Sequence, residues 1–388
     1  MSDLGGDMVE QRWTNDFLDA MREQCDPLAD EAVRTLFQEG KVPAANALMK
    51  QLVVNENVSV ELLAPPLRSY FERSGQLPTW MDADLVRQGE ELFERYGPHI
   101  VTALFCASLP SCYAAAKGVQ VLHLTARLET DSHRRIVETA QLIVDVMSPG
   151  GLAPGGRGLR STQKVRLMHA AVRHLIRQSG KWNPAWNQPI NQEDLAGTLL
   201  TFSTVVLQAL AKMGCELSEA ERRAYYHAWR VVGFVMGIDE RLLPEALDDG
   251  LRLQGLIQQR NYGATPEGHA LTKALVELLD RITPGNLFDG MSITLIRHLL
   301  GDGVADLLAV PPSDWTRVLV GPLRMLGWVG DELVDLHGPR AVKLVELIGR
   351  KILEGLVWVN RGPERLPFRL PTQLRESWNV RGWERAKL

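Results

Sequence analysis

Apolar residues recur every three or four positions along much of the chain, which is the spacing of one face of an α-helix. Between residues 133 and 147 the recurring positions are Ile136, Val137, Ala140, Ile143, Val144 and Met147. A second run, within residues 164–176, contains Val165, Met168, Val172, Leu175 and Ile176. The alternation typical of half-buried strands is hard to find. The pattern therefore predicts an all-α protein.

Short motifs mark where several of these helices begin and end. Ser218–Glu221 has the form of a capping box, Asn191 with Asp194 can cap the preceding helix, and Thr265–Pro266 starts another. Glycine and proline cluster at Pro149–Gly158, Lys181–Pro189, Pro244, Pro284–Gly285 and Pro311–Pro312. None of these breaks is long enough for a flexible linker, and no repeat of fixed period is present. We predict an N-terminal helical arm over residues 1–79, a helical domain over 80–312 and a C-terminal helical extension over 313–388.

Composition and charge narrow the possible classes of protein. The 388 residues are 45% hydrophobic and 23% charged, which is typical of globular chains. A net charge of −4 gives no basic excess for binding nucleic acid. The first residues are acidic where a signal peptide would be basic, so we expect a cytoplasmic N-terminus. The most apolar stretch, residues 100–124, is interrupted by Pro110 and Lys117, which favours buried helices over a transmembrane segment.

Familiar catalytic and nucleotide-binding motifs are missing from the sequence. The glycine-rich segment Gly150–Gly158 has the wrong spacing for a dinucleotide loop and contains Pro154, so it is more typical of an interhelical loop. P-loop, zinc-protease and nucleophile-elbow motifs are absent. The four cysteines lack CxxC spacing, which argues against a disulfide framework or a zinc site. We treat Cys106 and Cys112 as packing residues rather than thiolate ligands.

One histidine lies within the apolar face of a predicted helix. His169 shares that face with Val165 and Val172, and Arg166 and Arg173 lie on neighbouring turns. Such an arrangement suits haem, because an axial ligand needs a neutral nitrogen in an apolar slot and the propionates need basic partners. A lone histidine on an apolar face is also typical of an ordinary core residue. Spacing alone leaves both interpretations open.

Other polar residues near this helix are also ambiguous. Arg135 and Thr139 share a face of the preceding helix and could bind a propionate or dioxygen, or could be a solvated arginine and a threonine bonded to its own backbone. His227 lies in an aromatic-rich stretch more typical of a core, with a second axial ligand as the alternative. His174 lies well round the helix from His169, so we expect it to be solvated.

These residues together resemble a known family. Arg135 is followed four residues later by Thr139, His169 comes thirty residues after that threonine, and Arg173 follows after four more. The stretches that also match are Leu109–Ala114, Gly197–Ser203, Tyr225–Gly233 and Leu300–Leu308. In this order and spacing they resemble the haem-b oxygenases typified by latex-clearing proteins and MpaB-type enzymes, over roughly residues 90–310.

The resemblance implies a globin-like helical haem pocket within residues 80–312. It implies His169 as the proximal iron ligand, with Arg135 and Thr139 on the distal side. It also implies haem b as cofactor, dioxygen as co-substrate, and cleavage of a carbon–carbon double bond in an isoprenoid or similar hydrophobic chain. Arg173 and Arg166 are then the expected partners of the propionates.

Two positions depart from the family pattern. Latex-clearing proteins carry a lysine before the threonine, whereas this chain has Glu138, and they have a glutamate base upstream where this chain has no acidic residue between Gly97 and Leu128. We therefore expect a small apolar substrate rather than an insoluble polymer, with Glu138 as the candidate acid or base. A haem sensor or carrier, and a cofactor-free interaction protein, are the alternatives.

Overall fold

The structure is a computed structural model of the chain. It describes residues 12–40, 63, 65–125, 127–282, 290–313, 339–359 and 368–380. The predicted break at Pro284–Gly285 lies outside these residues.

The described residues form helices joined by short connections. In chain order the α-helices are α1 Asn15–Arg22, α2 Pro27–Gln38, α3 Pro65–Ser74, α4 Ala83–Ala103, α5 Leu109–Ala114, α6 Val119–Leu124, α7 Arg127–Met147, α8 Arg157–Ser179, α9 Gln192–Phe202, α10 Thr204–Lys212, α11 Glu219–Val235, α12 Leu247–Asn261, α13 Pro266–Ile282, α14 Met291–Leu300, α15 Asp302–Leu307, α16 Pro339–Val359 and α17 Thr372–Ser377. A π-helical turn, Leu104–Ser108, joins α4 to α5. No strand occurs in the described ranges, where Ala115 and Tyr262 form an isolated bridge. The all-α prediction is confirmed.

The predicted helix starts are confirmed in atomic detail. The Ser218 hydroxyl accepts a hydrogen bond from the Glu221 backbone amide, and the Glu221 carboxylate accepts one from that of Ser218. Asn191 Oδ1 accepts from the Asp194 backbone N at 2.9 Å. Thr265 Oγ1 accepts from the Gly268 backbone N at 3.0 Å. Each cap satisfies an amide that the helix itself leaves without a partner.

A single large hydrophobic core extends through all three predicted segments. It includes Leu18 of α1, Phe93 of α4, Trp229 of α11 and Leu353 of α16, all nearly inaccessible to solvent. Helix α4 packs along both α11 and α16. The boundaries at residues 79/80 and 312/313 stay predictions, but the arm and the extension share their packing with the central helices.

Helix α8 lies between this core and a smaller cluster. Its residues Leu167 and Ala170 pack with Val33 of α2 and with Tyr70 and Phe71 of α3. The Tyr70 hydroxyl also donates to the Gln163 carbonyl of α8 at 2.6 Å. The arm therefore holds one side of α8 in place and leaves the opposite side facing the interior.

The glycine-rich segment is the loop that joins α7 to α8, as predicted. Gly150 has a φ of +72°, which favours glycine. Its backbone N donates to the buried carboxylate of Glu90 at 3.1 Å. At Gly158 a Cβ would lie 2.4 Å from the Val146 Cα, so only glycine fits without a shift. This close approach of the two backbones fixes the position of the start of α8 relative to the end of α7.

The apolar stretch 100–124 is divided among α4, the π-helical turn, α5 and α6. In the described ranges, one segment, Gln192–Lys212, is long and apolar enough to cross a membrane. In this fold 72% of its most apolar window is buried inside the protein. That burial is also typical of a core helix in a globular protein.

Candidate active site

A cavity of about 1010 Å³ lies between α5, α7, α8, α9, α11 and α12. Much of its wall is apolar and comes from Ile136, Leu142, Val165, Met168, Val172, Phe202, Trp229 and Val232. Phe202 and Trp229 stack with their ring centroids 5.5 Å apart. At the C-terminal end of α8 the wall includes Leu175, which is 53% exposed, so the cavity reaches the surface there.

His169 lies in this wall, on the interior side of α8. Burial, together with the charges of Arg173 and Arg135, lowers the pKa of His169 to about 3. The imidazole is therefore neutral at physiological pH and retains a nitrogen lone pair. Its Nδ1 is buried and has no hydrogen-bond partner among the described residues. An unsatisfied buried nitrogen is costly, so this site is better suited to a ligand than to packing alone.

Three residues of α7 also line the cavity: Arg135, Glu138 and Thr139. The Arg135 Nη1 donates to the Thr125 hydroxyl at 3.2 Å. The Thr139 hydroxyl donates to the Arg135 carbonyl at 2.9 Å, as the backbone-bonded interpretation predicts. Because the hydroxyl hydrogen of Thr139 is engaged in this bond, Thr139 can accept a hydrogen bond from a group in the cavity but cannot donate one. The structure brings these three residues and His169 to one cavity.

The two predicted arginines of α8 form ion pairs with acidic residues of the N-terminal arm. Arg166 forms a bidentate pair with Asp26, at 2.6 and 2.7 Å, and donates to the Val235 carbonyl. Arg173 is fully buried, and its Nη2 lies 2.7 Å from the Asp30 carboxylate. Neither belongs to the cavity wall. The structure does not bring them to the cavity, and their role in holding the propionates stays a prediction.

The reason lies in the geometry of α8. Arg166 and Arg173 lie roughly 40–60° round the helix from His169, on the flank opposite Val165 and Met168. That flank faces α2, and the carboxylate partners are Asp30 of α2 and Asp26, the residue that caps its start. Arg173 acts on His169 only through its charge, which helps to keep the imidazole neutral.

The remaining candidate histidines lie outside the cavity wall. His227 Nε2 accepts a hydrogen bond from the Asp82 backbone N at 2.9 Å, so it is a packed core residue and not an axial ligand. His174 is half-buried and packs against Phe37, with ring centroids 4.3 Å apart, so it is less solvated than predicted.

Of the two cysteines predicted to be packing residues, Cys106 lies in the core and Cys112 lies in the cavity wall. Burial raises the pKa of the Cys106 thiol to about 12 and that of Cys112 to about 11, so both are protonated. Cys106 is enclosed in the core. Cys112 lines the cavity, and its Sγ lies 3.3 Å from the Thr201 hydroxyl.

Sequence reasoning missed a polar wall of the cavity, which comes from other helices than the one that carries His169. It is formed by Ser111, Cys112, Thr201, Gln254, Gln258 and Tyr262. Gln258 Nε2 donates to the Tyr262 hydroxyl at 3.2 Å. The sequence does contain a signal for this wall. Gln254, Gln258 and Asn261 recur at a spacing of three or four residues around Ile257, so their amides lie on the buried face of α12.

Comparison with known families places these residues in context. The model of the family described as "ER-bound oxygenase mpaB/B'/Rubber oxygenase, catalytic domain" matches residues 95–330, well over half of the chain. The chain belongs to this family. The matched range includes α7 and α8, and with them Arg135, Glu138, Thr139 and His169.

Individual members of the family agree with this assignment. The chain is 27% identical to the rubber oxygenase of Streptomyces sp. (strain K30) over 292 residues, which is 74% of this chain and 70% of that protein. The solved structure of latex clearing protein LCP in the closed state superposes with a TM-score of 0.67 at 22% identity, covering 89% of this chain and 94% of that one. The second likeness concerns the fold, which is the helical fold of this family.

The cavity of this family member fits a haem group. Its volume is at the upper end of the ~300–1,000 Å³ usual for small-molecule sites. In the described residues no group of three or more His, Cys, Asp or Glu side chains is placed to hold a metal ion. The wall nevertheless offers one neutral imidazole, and one axial ligand is all that a porphyrin-bound iron requires from the protein.

Proposed function

We propose that this protein is a haem-b-dependent oxygenase that cleaves a carbon–carbon double bond in an apolar substrate. The observation that carries the proposal is the neutral His169 imidazole in the wall of the largely apolar cavity. The chain's membership of an oxygenase family supports it. When bound, haem b supplies an iron at which dioxygen can be activated.

His169 would hold that iron. Helix α8 is fixed on one side by α2 and α3 and at its start by the glycine-rich loop, so the imidazole is presented from a rigid element. Its low pKa means that no proton has to leave before the nitrogen binds a metal. Burial, together with the nearby charges of Arg173 and Arg135, keeps the imidazole neutral.

Residues of α7 would act on the oxygen and the propionates. Arg135 is a cation in the cavity wall and can make charge-assisted hydrogen bonds to a carboxylate or to a polarised oxygen. Thr139, whose proton is bonded to the backbone, can accept a hydrogen bond. Glu138 is a carboxylate within the same wall, and we propose it as the acid or base of the reaction.

The cavity favours an apolar alkene as substrate. Trp229, Phe202 and the aliphatic side chains of α7 and α8 can contact an unsaturated chain and exclude water from it. The relative from Streptomyces is named for its action on rubber, an apolar polymer. We propose a smaller isoprenoid-like molecule for this chain, and a cytoplasmic location stays a prediction.

The first test is a haem-binding experiment with the full chain. Haemin is titrated into the purified protein and into His169→Ala, and the Soret band and the dissociation constant are recorded. We expect the variant to lose at least about tenfold in affinity, since even outer-shell changes at metal sites cost 10–100-fold. Added imidazole should restore the band.

His123→Ala is the matched control, because His123 is exposed and lies outside the cavity wall. An unchanged Soret band in His169→Ala would remove His169 from the proposed role. Oxygen uptake with apolar alkenes then separates an oxygenase from a haem sensor or carrier. Sustained uptake with carbonyl products supports the oxygenase, and binding without uptake supports the sensor.

A further inference from the structure

The polar wall of the cavity lies on different helices from His169. Its side chains come from α5, α9 and α12, and the residues next to the candidate ligand come from α7 and α8. Apart from the buried thiol of Cys112, the polar groups are hydroxyls and amides. A pure hydrocarbon would cover these groups without giving them hydrogen-bond partners, which is unfavourable once water is displaced from them.

Most of the hydroxyls in this wall already have partners within the protein. Thr201 donates to the Thr198 carbonyl at 2.8 Å, and its oxygen lies near the Cys112 thiol. The Tyr262 hydroxyl accepts from Gln258. Burial raises the pKa of Tyr262 to about 12, so this phenol stays protonated and neutral.

Gln254 is different from these residues. Its side chain is in the cavity wall and only 7% exposed, and its Nε2 donates outwards to Gln208 Oε1 at 3.1 Å. Its own Oε1 is buried and has no hydrogen-bond partner among the described residues. A buried carbonyl oxygen without a donor is destabilising, and a donor on a bound ligand would satisfy it.

Charged groups in this region are already paired with one another. Asp194, at the edge of the polar wall, accepts from Arg22 at 2.8 Å, and Arg22 also contacts the buried Glu193. None of the six side chains of the polar wall is basic, and Arg135 and Lys181, which also line the cavity, lie on α7 and just after α8. The matching ligand group is neutral and carries a hydrogen, and a hydroxyl meets both conditions.

We infer that Gln254 binds a hydroxyl group of the substrate, so that the preferred substrate is an unsaturated apolar alcohol rather than a hydrocarbon. This inference rests on the proposed function, because a hydroxyl bound at Gln254 would leave the double bond of the alcohol to lie towards His169. Gln254 is thus a specificity-determining residue, with its Oε1 accepting from the alcohol.

The test measures binding, which requires neither haem nor turnover. Farnesol, farnesyl methyl ether and the hydrocarbon with hydrogen in place of the hydroxyl are titrated into the full chain by calorimetry. We expect farnesol to bind about tenfold more tightly than either of the others, since one satisfied buried acceptor is worth about that factor. Gln254→Met nearly preserves the shape of the side chain but removes its carbonyl oxygen. In this variant we expect farnesol to bind about as tightly as the ether and the hydrocarbon.

Gln259→Met is the matched control, because Gln259 is on the same helix and exposed. It should keep the full preference. Equal affinity for the alcohol and the ether, binding of none of the three, or a preference that survives Gln254→Met would overturn the inference. If haem binds through His169 while the alcohol preference is absent, only this inference fails. If the preference is present and haem does not bind, the oxygenase proposal fails instead.

Discussion

Replacing His169 with phenylalanine should change how the stability of the haem-free protein depends on pH. In the folded state the pKa of His169 is lowered to about 3, first by burial and then by the charges of Arg173 and Arg135. In the unfolded chain the pKa of a histidine is ~6.5. Between these values the unfolded state binds a proton that the folded state does not. Folding stability is therefore lost as the pH falls below ~6.5.

The size of the effect follows from the two pKa values. Each pH unit in this interval costs ~1.4 kcal/mol, so lowering the pH from 7 to 5 removes about 2 kcal/mol through His169 alone. Phenylalanine has a similar ring shape and no titratable group. The variant should therefore lose about 2 kcal/mol less than the wild-type protein over the same interval.

Urea unfolding followed by circular dichroism at pH 7 and pH 5 gives the required free energies. His123→Phe is the control, because it removes an exposed histidine and should lose as much stability as the wild type. If His169→Phe and the wild type lost equal stability between the two pH values, His169 would not be a buried neutral imidazole. Its proposed role as a metal ligand would then lose its physical basis.

Two further predictions concern how α8 is held. Arg173→Met should destabilise the protein by about 1–3 kcal/mol, since it removes the hydrogen bonds to Asp30 and to the Ile190 carbonyl and leaves Asp30 with only Arg177 nearby. Urea unfolding measures this loss, and adding Asp30→Leu should recover part of it. Gly158→Ala should cost about 1–3 kcal/mol because its methyl group would meet Val146. Gly255→Ala is the control: a methyl group there would meet no neighbouring atom, so this change on α12 should stabilise the protein by about 0.5–1 kcal/mol. Thermal unfolding compares the two variants, and equal midpoints would contradict the packing argument.

The helical architecture could be predicted because local patterns determine it. The apolar spacing in α7 and α8, the capping box at Ser218 and the cap at Asn191 act within a few residues, and the structure confirms each of them. The π-helical turn before Pro110 was not predicted. In so short a segment the apolar spacing does not distinguish a π-helical turn from an α-helix, so the sequence pattern could not reveal it.

For the candidate site, the sequence predicted which side chains line the cavity, but not which residues pair with the arginines on the other flank of α8. His169 and Arg135 line it, as the apolar faces of their helices suggested. The partners of Arg166 and Arg173 could not be inferred, because Asp26 and Asp30 lie about 140 residues earlier in the chain. Periodicity identifies which face of a helix is polar, but it does not identify the helix that covers it.

The ion pairs between the arm and the rest of the molecule limit how the chain can be shortened. Arg22 neutralises Glu193, Asp26 neutralises Arg166, and Asp30 neutralises Arg173, and in each pair at least one partner is buried. A fragment starting at residue 80 would leave the guanidiniums of Arg166 and Arg173 without these partners, whereas Glu193 would keep its ion pair with Arg260. We therefore expect a fragment that begins at residue 80 to be less stable than a chain that includes α1 and α2, although the family match begins only at residue 95.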